Sequence, residues 1–128
     1  MLVPREESIY IVGTSCLFMV PSIYSYYCHL YSLSVLLAVT SLLSANFWRR
    51  PVLGWRRNAD IGCAKILFIT CVYIGVPCLD MWYIYMSIII FFYYKSCVAW
   101  HVLYHAAFHI SAILTAMLII TELEPLHY

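Results

Sequence analysis

Residues 81–121 read MWYIYMSIIIFFYYKSCVAWHVLYHAAFHISAILTAMLIIT, and the only Lys, Arg, Asp or Glu among them is Lys95. A bilayer core of ~30 Å takes about 20 apolar residues in helical form. The stretch is therefore long enough for two spans, 81–98 and 99–121. Working toward the N-terminus, 61–79 is a third apolar run that ends around Pro77, and 30–48 is a fourth. A fifth, 9–27, is interrupted by Pro21.

The whole chain has the same bias. Of its 128 residues, 65% are hydrophobic and 10% charged, with a mean hydropathy of +0.88. Soluble domains carry roughly a quarter charged residues, and a water-exposed surface this apolar would aggregate. The sequence predicts an all-α integral membrane helical bundle of about five transmembrane helices, four if the first run is not a span, in a single domain over 1–128. Residues 9–20 have the length of a signal-peptide core, but Glu6 and Glu7 stand where such a peptide is basic. The run is read as a retained helix.

The formal net charge of +1 gives no reason to expect a nucleic-acid partner. The charges that exist are clustered. Arg49, Arg50, Arg56 and Arg57 fall in one short connection, which the positive-inside rule places in the cytoplasm. Alternation then predicts a cytoplasmic N-terminus, a cytoplasmic 49–60 loop and a C-terminus on the opposite side. In "WRRPVLGWRR" the four arginines sit beside two tryptophans, a pairing suited to anionic lipid headgroups at ~1 kcal/mol per basic residue. Orientation alone would also account for them. The six cysteines form no CxxC pair and lie in or beside apolar runs, where thiols pack as small hydrophobes.

Chemistry, if present, concentrates at His101, His105 and His109. A spacing of four keeps the three on one helical face, drifting by ~40° per step, and adjacent imidazoles at i and i+4 can chelate one metal ion. Polar residues inside a membrane usually face a bundle interior or a wet cavity, so hydrogen bonding to neighbouring helices is the bland alternative. The derived orientation puts Ser41, Ser44 and Asp60 at the same depth as His101. Small-residue helix packing explains the two serines equally well, and an acid meeting a helix dipole explains Asp60.

The segments SLLSANFWRRPVLGWRRNADIGCAKI (41–66) and AWHVLYHAAFH (99–109) resemble the CREST superfamily, which includes the alkaline ceramidases and the progestin/adiponectin receptors. The resemblance covers the second, third and fifth spans. It implies that Ser44 and Asp60 match the family's Ser and Asp, and that His101 and His105 match the HxxxH pair of its last helix. It further implies a zinc ion and hydrolysis of a lipid amide or ester. Water bound at His101 and His105 would attack, Asp60 would act as general base, and Ser44 would steady the oxyanion. The sequence departs from the family twice. The family has seven helices where this chain has room for five. The family's second-helix histidine, four residues after its Ser, is here Trp48. The competing reading is a non-enzymatic accessory or scaffold subunit, with membrane lipids and other membrane-protein subunits as its partners.

Overall fold

In the computed structural model, which describes residues 3–123, six helices run in the order α1 (Arg5–Cys16), α2 (Met19–Tyr27), α3 (Tyr31–Trp48), α4 (Trp55–Cys78), α5 (Trp82–Val98) and α6 (Val102–Leu123). The described residues contain no strand. α1 and α2 together make one kinked span of 23 residues, and α3, α4 and α6 are each long and apolar enough to cross a membrane. α5 is apolar but shorter, at 17 residues, or roughly 26 Å at 1.5 Å per residue. The chain is an integral membrane helical bundle, with the four spans plus α5 giving the five segments expected.

The kink has a local cause. Pro21 has no N–H to offer the Leu17 carbonyl, and its ring crowds that carbonyl. The Leu17 carbonyl accepts instead from the Val20 N–H at 3.0 Å, and the helix breaks across Leu17 and Phe18. The interruption therefore falls one turn before the proline rather than at it. Six residues beyond Pro21, α2 ends in a Schellman turn: Leu30 N–H bonds the Ser25 carbonyl and His29 N–H bonds that of Tyr26. The left-handed position, usually glycine, is held by His29 at φ 63°, whose Nδ1 lies 2.9 Å from the Tyr31 hydroxyl.

α4 starts earlier than the apolar pattern suggests. Gly54, at φ 147°, turns the chain in a region open to glycine and costly for other residues. The helix begins at Trp55, not at Ile61. Arg56 and Arg57 thus lie in its first turn, and Asp60 lies in its second turn rather than at the helix start. Hydropathy misplaced this boundary because a polar first turn carries no apolar signal.

α3 and α6 are the centre of the bundle. α3 packs on α1, α2 and α4, and α6 packs on α1, α2, α4 and α5. Leu37 of α3 and Ile119 and Ile120 of α6 are fully buried in one apolar cluster. Lipid tails are as apolar as these side chains, so helix association rests on fit and interhelical hydrogen bonds, not on escape from water. Fit is closest at Gly75 of α4, where an added Cβ would lie 3.1 Å from Ile119 Cδ1 and 3.3 Å from Met86 Cε.

Candidate functional site

The polar residues of the bundle are organised by a serine seam between the first span and α3. Ser8, Ser15 and Ser22 recur every seven residues, as do Ser34 and Ser41, and all five are buried. In an antiparallel pair a fixed register keeps the sum of facing residue numbers constant. Ser22 faces Ser34 and Ser15 faces Ser41, each pair summing to 56. Ser34 Oγ donates to the Ser22 carbonyl at 2.7 Å, and Ser22 Oγ to the Ser34 carbonyl at 2.8 Å. Ser41 Oγ donates to the Ser15 carbonyl at 2.8 Å. The kink left that carbonyl with only the Phe18 N–H, at 3.2 Å. Side-chain repair of freed carbonyls is what makes a broken helix tolerable in a bilayer. Continued by seven residues, the register brings Trp48 level with Ser8, and the indole packs with Ile11 and Phe47.

Ser44 continues this seam into α4. Its Oγ lies 2.9 Å from Ser15 Oγ, and its side chain is close to that of Asp60. Ser15 Oγ in turn contacts the Ile11 carbonyl at 2.7 Å. Each hydroxyl carries one proton, so with the Ser15 proton given to Ile11, the Ser15–Ser44 contact is made by the Ser44 proton. Ser44 is 2% exposed and Asp60 is half-buried. Ser44 and Asp60 lie near each other, and the Ser44 hydroxyl contacts Ser15.

The histidines fall into different surroundings. His101 precedes α6 and is exposed, and its Nδ1 accepts the Leu103 N–H at 3.1 Å, capping the helix. His105 faces Trp48, with ring centroids 4.7 Å apart, and touches Trp100, which is stacked on Trp48 at 5.7 Å. His109 is 4% exposed. Its Nδ1 lies 2.9 Å from Thr14 Oγ1 on α1, and its ring meets Phe18 edge-on. His105 and His109 are neighbours at 4.7 Å between centroids, so α6 pairs its second and third histidines inside the bundle and leaves the first at the surface. Trp100 Nε1 also donates to Glu7 Oε2 at 2.9 Å, tying the start of α6 to α1.

Trp48 occupies the position where the resemblance leads one to look for a metal ligand, and it does lie against His105. An indole can bind no zinc. Its own N–H is the one buried side-chain N or O without a partner among the described residues. Among those residues no three His, Cys, Asp or Glu side chains gather as a group that could hold a metal. The donor set suggested by the sequence is divided between Asp60 with Ser44 on one flank of α3 and His105 with His109 beside α1.

Sequence reasoning missed Thr14 and Ser15, which stand side by side on α1. Thr14 holds His109, and Ser15 holds Ser41 and Ser44. The signal that would have found Ser15 is the seven-residue serine spacing, matched on two neighbouring spans.

The arginines stay at the end of the bundle shared by Asp60, His101 and Lys95. Arg49 Nε donates to Asn46 Oδ1 at 2.9 Å, and an Arg56 guanidinium N–H donates to the Arg50 carbonyl at 3.2 Å. Neither arginine's hydrogen-bond partner is acidic. Among the described residues no cysteine is in a disulfide, and Cys16 and Cys97 are exposed. Searches against family models, curated proteins and solved structures found no match for this chain.

Proposed function

We propose that this protein is a non-catalytic, membrane-embedded helical subunit built on a CREST-like arrangement, in which packing has taken over the positions that carry chemistry in that superfamily. The observation that carries the reading is the occupancy of the candidate residues by their own chain. Ser44 is bonded to Ser15, His109 to Thr14, and His101 to the first turn of α6. His105 is held among Trp48, Trp100, Phe108 and His109. The CREST-like part of the reading is supported by position 48, which faces His105 as a ligand there would, and by Asp60 adjoining Ser44. Its orientation would follow the arginines, with the N-terminus and the connection before α4 cytoplasmic.

A subunit needs a face for a neighbour. The outer side of α4 is the best candidate: Ile69 is 66% exposed and Tyr73 81%. Phenolic rings favour the interface or a partner's hydrogen-bonding group over bare lipid tails. The test is a photo-reactive amino acid placed at Tyr73 in the native membrane. The expected outcome is an adduct of one defined protein mass, absent when the probe is moved to Ile90 on α5. Lipid adducts alone at both positions would remove the subunit reading.

A further inference from the structure

A groove open to the bilayer runs between α3 and α4. It is bounded by Val35, Val39 and Leu43 on one wall and by Gly62 and Ile66 on the other, with Asn58 at its mouth. It exists because Gly62 has no side chain, and a Cβ added there would meet nothing within 4 Å. Ser32, at the other end, lies eleven residues from Leu43. That is about 16 Å of helix, close to one leaflet of a ~30 Å hydrocarbon core.

Basic residues lie on or directly after the same two helices, toward the Asn58 end of the groove. Arg49 and Arg50, both exposed, follow the last turn of α3. Lys65 lies inside the apolar part of α4, exposed, three residues after Gly62 and seven after Asn58, a spacing that puts all three on one face. A lone lysine at that depth is costly unless its ammonium reaches polar surroundings. Side chains on a helix lean toward its N-terminus, and the N-terminal end of α4 is the arginine end. A lysine at this position is therefore directed along the groove edge toward Asn58 and the arginine end of the bundle.

We propose that this groove is a binding site for one anionic phospholipid. One acyl chain lies along Gly62, and the phosphate is held by Arg50, Lys65 and the Asn58 amide. An apolar slot of leaflet depth with cationic groups at its mouth matches such a lipid in both shape and charge. A zwitterionic lipid would bring a choline cation to the same place. A partner helix would need an acid at headgroup level, and it is the competing occupant.

The test uses full-length protein in nanodiscs of phosphatidylcholine with a minor fraction of phosphatidylglycerol of matched chains, released for native mass spectrometry. One retained phosphatidylglycerol per protein is expected, in preference to phosphatidylcholine. Arg50→Gln and Lys65→Gln should each weaken retention about five-fold, the change that corresponds to ~1 kcal/mol per basic residue. Gly62→Leu, whose Cβ meets nothing within 4 Å, should abolish retention by filling the slot, and Val39→Trp should do the same from the other wall. Equal retention of the two lipids would overturn the headgroup assignment. Retention unaffected by both filling variants, in protein whose helicity and melting are unchanged, would overturn the groove. A photo-reactive residue at Val39 that captures a protein rather than lipid would overturn the choice of occupant.

Discussion

The two sides of this bundle are held by different forces. On one side, the first span and α3 are joined by serines that bond across the seam at 2.7–2.9 Å, and His109 and Thr14 extend the pattern to α6. On the other side, α5 and the outer half of α4 present Ile, Phe and Tyr side chains outward. Their hydroxyls bond only within their own helices, as Ser87 does to the Tyr83 carbonyl and Thr70 to that of Ile66. The first side has its geometry specified by directional bonds. The second has few such constraints and is free to meet lipid or another chain. In a solvent as apolar as the helices themselves, directional bonds and close fit are what distinguish an inside from an outside.

The sharpest way to break this contrast is at Trp48, where seam and aromatic cluster meet. Trp48→Ala should destabilise the protein by about 3 kcal/mol, toward the low end for aromatic truncation, because lipid contributes no water-transfer term. Trp48→Phe should stay within ~1 kcal/mol, since it keeps most of the ring contacts and removes an unpartnered N–H. Equilibrium unfolding in mixed micelles would read both. Equal losses in the two variants would show that the indole N–H matters and that packing does not explain Trp48.

A smaller effect is expected from the seam itself. Ser41→Ala leaves the Ser15 carbonyl without its best donor and should cost ~1 kcal/mol, and the Ser15→Ala/Ser44→Ala pair should couple by about 0.6 kcal/mol, the typical interhelical value in membranes. A coupling of zero would mean that the two hydroxyls merely share a space. The smallest effects belong to the other side. Ile90→Ala and Phe91→Ala on α5, both exposed, should each change stability by less than ~0.5 kcal/mol. A loss of 2 kcal/mol or more at either position would show that the outward face of α5 is packed, which the contrast denies.

The sequence made the membrane bundle legible because apolar length is a strong and local signal. It located α3, α5 and α6 to within a few residues. It placed the start of α4 six residues late, since Trp55, Arg56 and Arg57 are helical without being apolar. At the site, the adjacency of Ser44 and Asp60 could be read from depth alone, because short connections force alternate helix ends to one level. Which histidines pair could not. His101 and His105 share a helical face as well as His105 and His109 do, and the choice depends on where α6 begins and which flank meets α1. Ser15 and Thr14 were hidden for a related reason: the first span was read for its length, and a serine every seven residues signifies something only once a neighbouring helix shows the same period.

The central claim is that the polar residues of this bundle hold helices together and hold no metal. It is tested most directly by the zinc and cobalt content of detergent-purified wild-type protein, measured beside His105→Ala and Trp48→His. The account predicts no stoichiometric metal in the wild type or in His105→Ala. It predicts a gain of bound metal in Trp48→His, which sets a third imidazole beside His105 and His109 and completes a three-donor set. About one equivalent in the wild type, lost in His105→Ala, would contradict it.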